Sequence, residues 1–362
     1  MDAIICKRIG RKKLFSGNGV QKNRSESRKH SPVFVVGCHR SGTNLLYDTL
    51  LSAGGFAIYR GYLPIYKTLI PRFGGLDRER SRKKIIETWL RSKGFRRSGL
   101  EALALAAKLG DSRTGGDFMK IIMDGIAHTQ RSTRWAVYDP DNVLYMSEIK
   151  RDIPTALFVH IVRDGRDIAL SLRRMGGFRP SLWSRKPGNL LETALYWEWM
   201  VRKGRHYGSA IPADYIEVRY EDLVEDPQGT LASLGDFLEH DLDYDRIQKS
   251  SLGTLSNSNS SFREEKQTQP GPLNRWRQSL SRKEIASLEA MVGDCLEESG
   301  YALTIAKEER KKAGLRELLL RKIYPNYLDT KLWFKLKTPL GRFTNTAPLE
   351  LTAPGYQPES LA

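Results

Sequence analysis

Residues 33–37, Val-Phe-Val-Val-Gly, run without a polar side chain, and an apolar stripe at helical spacing follows through Leu45, Leu46, Leu50 and Leu51. The run predicts a parallel strand buried on both faces, and the stripe predicts a helix over 43–53 that Gly54-Gly55 stops. The alternation continues, with strands expected at 56–59, 135–138, 155–162 and 215–219. Helices are expected at 143–151, 165–175, 190–207, 227–238 and 282–299. Residues 79–131 read as helical with breaks near Gly94 and 110–116, and 61–75, rich in Gly, Pro and aromatics, read as a loop. Strands alternating with helices predict an α/β fold whose central, mainly parallel sheet is flanked by helices in three layers. Ligands of such sheets gather beyond the carboxyl ends of the strands.

Outside this pattern the chain changes character. Residues 250–272 turn to Ser, Asn, Gln and Pro, the composition of a surface linker or of a loop that orders over a ligand. Residues 1–30 carry nine Lys/Arg against two acids and no apolar core of signal-peptide length, so 1–31 reads as a disordered basic arm. Residues 307–342 hold eleven Lys/Arg against four acids, with Leu318, Leu319, Leu320, Trp333 and Phe334 among them. This segment could lie on an anionic membrane, but packing on the main domain is the expected outcome. No internal repeat appears.

The net charge of +17 over 362 residues suits an anionic ligand, an acidic acceptor, nucleic acid or an anionic membrane, and does not choose among them. Cys6, Cys38 and Cys295 are odd in number and form no Cys-x-x-Cys, so neither a disulfide framework nor a zinc site is expected. No stretch approaches the roughly 20 apolar residues that cross a bilayer. A cytoplasmic protein is the expectation.

Two stretches carry candidate chemistry. The turn after the first strand has the Gly-x-x-x-x-Gly frame of a phosphate-binding loop, Gly37 to Gly42, but Thr43 and Asn44 follow it where a nucleoside-triphosphate loop has lysine. Its cation is Arg40. Backbone N–H groups at the following helix start would hold an anion without a metal. The second stretch, Arg163-Asp164-Gly165-Arg166-Asp167, again leaves a strand for a helix, with Ser171 about a turn further on. Alone, it reads as an ion-pair cluster. Beside the first loop, Arg163 and Ser171 read as a second anion site.

With His39-Arg40-Ser41-Gly42-Thr43-Asn44-Leu45-Leu46 and the Arg163…Ser171 spacing, the chain resembles the sulfotransferases that use 3′-phosphoadenosine 5′-phosphosulfate (PAPS). Tyr220-Glu221-Asp222-Leu223, Asp226-Pro227 and Arg275-Trp276-Arg277 extend the resemblance over about 32–301, to the bacterial branch akin to tyrosylprotein sulfotransferases. It implies a P-loop-like fold, with 79–131 as a helical acceptor-side insertion and 302–362 as a basic extension and tail. It also implies that Arg40, Ser41, Gly42, Thr43 and Asn44 bind the 5′-phosphosulfate, and that Arg163 and Ser171 hold the 3′-phosphate. Tyr220 would lie near the adenine, Arg275 would close over the donor, and Trp276 would pack near the base. Arg40 would stabilise the charge that grows on the bridging oxygen. The implied partner is a hydroxyl-bearing acceptor (a sugar, a phenol or a lipid headgroup), with no metal and no nucleic acid.

The resemblance fails at the general base. Tyr62 stands where many relatives have glutamate after the second strand, Tyr138 lies near the place of a common lysine, and Asn44 replaces a hydroxyl residue. Asp139 or Asp141 is the expected base, although both could simply form a turn and cap the next helix. His39 is a further candidate. Two rivals remain at this level: a P-loop kinase or nucleotide-binding protein, and a non-catalytic anion or nucleic-acid binder.

Overall fold

A computed structural model describes residues 28–175, 189–250, 273–306, 308 and 314–344. Most of the basic arm, the 251–272 loop, Trp183 and the tail beyond Thr344 lie outside the described residues. Five parallel strands form one sheet in the order β2-β3-β1-β4-β5: β1 Val33–Gly37, β2 Phe56–Ala57, β3 Arg134–Tyr138, β4 Leu157–Val162 and β5 Tyr215–Arg219. Every residue of β1 and β4 is buried, as unbroken apolar runs covered on both faces require. This is the P-loop-like α/β architecture, and the sheet is parallel throughout.

Helices α1 Thr43–Ser52, α10 Tyr220–Glu225, α11 Pro227–Leu238 and α12 Tyr244–Lys249 lie in sequence around a core of Leu46, Leu50, Leu223, Leu234 and Ile247. The larger core, on the other face, gathers α7 Met146–Asp152, α8 Gly165–Arg174, α9 Leu190–Ser209 and α14 Arg282–Glu298 around Trp197, Met200, Leu172 and Leu288. The same core takes in α3 Glu79–Leu90, α4 Lys93–Ser98, α5 Ala102–Leu109 and α6 Gly115–Thr129 through Trp89, Leu105, Phe118 and Ile122.

Three expectations need revision. Residues 61–75 are not a loop: Ile65–Leu69 is a single π-helical turn that runs into α2, Ile70–Phe73. Pro64 precedes the turn, and Pro71 follows it at the second residue of α2, where the ladder changes from π to α spacing. The composition that reads as a loop therefore permits helix here. Second, β2 is two residues long, and Pro140–Tyr145 is a 3₁₀ segment before α7 rather than one helix from 143. Third, the end of the basic arm is ordered: Arg28 donates to the Phe237 and Ala213 carbonyls and pairs with Asp214.

Beyond α13, Trp276–Ser279, and α14, the basic extension forms α15, Leu315–Lys337, and α16, Gly341–Thr344. Tyr324 and Leu328 anchor α15 in the main core, and α16 rests against α2. Among the described residues, no helix is long and apolar enough to cross a membrane.

Candidate active site

The register of β1 on β4 sets Gly37 beside Ile161, so the turns that leave the two strands emerge side by side. Gly37 and Gly42 both have positive φ, 154° and 100°. A side chain at Gly42 would drive into the Tyr220 ring, so only glycine lets the loop pass this close to α10. Gly42 caps α1, yet no side chain caps the helix, and its first turn holds no acid. The amide groups there carry the helix's positive end without an internal partner.

Arg40, at a φ of 74°, turns its side chain out of the loop, and its Nε donates to Ser171 Oγ on α8 at 3.0 Å. Arg163 donates to the Arg40 carbonyl at 3.5 Å, and its guanidinium lies 4.3 Å over the Tyr220 ring. Arg40, Arg163, Arg174 and Arg275, with Ser171, line one small pocket of about 20 Å³. Asp167 is the carboxylate in that lining, where Arg163 reaches it at 3.4 Å. Burial, then the neighbouring Arg163 charge, lowers the pKa of both Arg40 and Arg275. An excess of guanidinium over carboxylate in a half-buried pocket calls for an anion.

Asp167 also accepts the Trp276 N–H at 2.9 Å and so ties α13 to α8. Arg166 lies 3.9 Å under the Trp276 ring and is itself clamped by Asp164 and Glu289. Trp276 is thus fixed in the main core, 1% exposed, behind the residues that line the pocket. The Tyr220 hydroxyl and Trp276 Nε1 are buried without a hydrogen-bond partner among the described residues.

Ser41 sits differently from its expected part. Both its N–H and its hydroxyl point to the Cys38 carbonyl, so its side chain shapes the turn. Thr43 is buried at the helix start, and Asn44 is exposed in the first turn.

A second cluster stands at the tips of β1 and β3. Asp141 pairs through one oxygen with Lys67, from the π-turn, and through the other with His39 Nε2 at 3.2 Å. These cations hold its carboxyl well below the usual range although burial opposes them. His39 moves up for the same reason: burial lowers it, but Asp141 outweighs burial. Asp139 caps the 3₁₀ turn, with Oδ1 accepting the Asp141 N–H at 3.0 Å. It is only 8% exposed, its Oδ2 is buried with no hydrogen-bond partner among the described residues, and burial raises its pKa. Asp139 also lines a small cavity with Tyr59, Leu63, Met119 and Asn142.

Two members of this cluster are absent from the sequence reading. Lys67 lies in the segment read as a loop, with no periodicity to mark it. Lys335 arrives from α15, where its Nζ donates to Tyr145 Oη at 3.4 Å, and burial pushes its pKa down to about 8. Arg174 was also missed, although it falls three residues after Ser171, on the same helical face. A larger, open depression lined by Leu231, His240 and Tyr244 holds none of the motif residues.

The family model for the sulfotransferase family matches residues 32–246, and the chain belongs to that family. Among solved structures it is similar to the sulfotransferase domain from the curacin biosynthetic pathway, at 18% identity and a TM-score of 0.46 over 76% of this chain and 99% of that one. The sulfotransferase domain of the olefin synthase of Synechococcus PCC 7002 matches at 18% identity and 0.46, covering 76% and 96%. A sulfotransferase from Mycobacterium avium matches at 15% and 0.42, covering 78% and 80%. No curated protein matches in sequence.

Proposed function

We propose that this sulfotransferase moves the sulfuryl group of PAPS to a hydroxyl of a small molecule, glycan or glycolipid. One observation carries the reading: Arg40 and Arg163 converge with Ser171 on a single pocket beside the uncapped start of α1. Two anion sites from neighbouring strands suit a nucleotide charged at its 3′ and 5′ positions. The amides of Gly42, Thr43 and Asn44 take the 5′-phosphosulfate, and Arg163, Ser171 and Arg275 take the 3′-phosphate. Arg40 belongs to both ends, with its backbone in the first loop and its guanidinium toward the second site. Tyr220 and Trp276 flank the adenosine.

In the transfer, the acceptor oxygen attacks sulfur in line. The bond from sulfur to the bridging phosphate oxygen breaks, and 3′,5′-adenosine bisphosphate leaves with its electron pair. Helix amides and arginines stabilise the charge that grows on that oxygen. The hydroxyl proton passes to Asp139, whose second oxygen has no partner among the described residues and whose raised pKa suits a base. Asp141 is committed to Lys67 and His39, and so organises the acceptor end.

Calorimetry with 3′,5′-adenosine bisphosphate in excess chelator tests the reading. Tight binding that is at least tenfold weaker for adenosine 5′-phosphate is the expected result. A requirement for magnesium, or indifference to the 3′-phosphate, would return the protein to the kinase or general anion-binder readings.

A further inference from the structure

Helix α15 has two unlike faces at its C-terminal end. One carries Lys335 to Tyr145, beside the Lys67–Asp141 pair. Trp333, two residues earlier, points nearly the opposite way, since each residue turns a helix by about 100°. It is 55% exposed, and Phe334, whose ring centroid lies 5.2 Å away, is 42% exposed. The chain then bends back over the end of α15, where Gly341 sits against the Lys335 carbonyl too closely for any side chain. This turn brings out Leu340 and Phe343, the latter 82% exposed. Leu318, Leu319 and Ile323 extend the exposed apolar positions along the helix.

The charge at this tip is one-sided. Residues 331–343 contain no acid, and besides the inward-turned Lys335 they carry Lys331, Lys337 and Arg342. Large apolar side chains flanked by lysine and arginine are the signature of a helix lying in a membrane interface, with aromatic rings at headgroup depth. A second copy of this chain would bring the same positive tip to meet it, on a protein of net charge +17. Leu340, Ile323, Leu318 and Leu319 offer no π-face to a nucleic-acid base, whereas acyl chains accept them.

We propose that the α15–α16 tip docks on an anionic lipid bilayer and sets the mouth of the acceptor cluster at headgroup level, so that the acceptor hydroxyl belongs to an amphiphile. This rests on the reading of the Asp139, Asp141 and Lys67 cluster as the acceptor end. The α16 contact with α2, which continues directly from the turn holding Lys67, joins the docking tip to that cluster.

The test is sedimentation of the full chain with phosphatidylcholine vesicles, with and without phosphatidylglycerol, for the wild type and for W333A/F334A/F343S. Phosphatidylglycerol should strengthen binding by about tenfold or more, and the triple variant should lose most of that gain. The three positions are exposed, so the variant should keep its melting temperature and its affinity for 3′,5′-adenosine bisphosphate. Absence of vesicle binding would overturn the proposal, as would equal binding by the variant. So would self-association of the wild type that the variant abolishes, which would assign the tip to a second copy. Failure of the wild type to bind the nucleotide would instead defeat the donor assignment, whatever the vesicles show.

Discussion

The Arg40 guanidinium reaches across from the β1 turn to Ser171 on α8, with Nε 3.0 Å from the hydroxyl oxygen. One residue therefore links the turn after β1 to the helix after β4. That link brings the two motifs to one pocket.

Arg163→Ala should weaken 3′,5′-adenosine bisphosphate by about 1.5–3 kcal/mol, the worth of a charge-assisted hydrogen bond. Adenosine 5′-phosphate should lose much less. Calorimetry with both nucleotides decides it, and equal losses would remove Arg163 from the 3′-phosphate.

Gly42→Ala should cost about 1–3 kcal/mol of stability in urea unfolding, because alanine would be held at a φ of 100° with its methyl in the Tyr220 ring. Adding Tyr220→Leu removes the collision but not the backbone strain, so recovery should be partial. Full recovery would mean that only the ring matters.

Asp139 and Asp141 should separate on substitution. Asn caps a turn as well as Asp does, so Asp139→Asn should leave stability nearly unchanged while sulfuryl transfer from ³⁵S-labelled PAPS to an acceptor falls by about a hundredfold. Asp141→Asn strands Lys67 and should cost about 3 kcal/mol at neutral pH. Because the Asp141 pKa is depressed in the fold, its stabilisation is present above the ordinary carboxylate range. It fades as pH falls through the folded value, so the gap between wild type and variant should close in acid. Unchanged turnover in Asp139→Asn would return that residue to a purely capping role.

At Lys335 the charged form is the unfavourable one in the fold. Burial holds its pKa near 8, below that of a lysine in the unfolded chain, so the charged form costs stability at neutral pH. Asp141 and Asp139 favour its charge, and Lys67 and Lys331 oppose it. Lys335→Met should therefore be more stable than wild type at pH 7, and that advantage should shrink as pH rises from 8 toward 10. Urea unfolding across that interval measures it, and a constant difference would show that Lys335 stays solvated.

How much was legible beforehand follows from the range of each interaction. The buried strands and the β1 turn announce themselves, because unbroken apolar runs and a glycine at a positive φ leave a local mark. Lys67 and Lys335 leave none, since their positions depend on tertiary contacts made far from their own sequence neighbourhoods. The π-turn at Ile65–Leu69 is hidden by prolines that read as breakers but flank it, one before it and one just after. Ser41 shows the converse: its place in a phosphate-loop frame suggested a ligand contact, yet its hydroxyl turns back to Cys38.

The pairing of Gly37 with Ile161 makes the sheet a ruler. Adjacent strands stand about 4.8 Å apart, so the turns that leave β1 and β4 are separated by a distance that the backbone ladder sets and side chains cannot adjust. Slippage of β4 by one residue would carry Arg163 out of reach of Arg40 and would also turn its apolar set to the other face. If the proposed donor binds here, discrimination between nucleotides by the spacing of their charges would follow from main-chain hydrogen bonds, and surface substitutions around the pocket would retune affinity without altering that length.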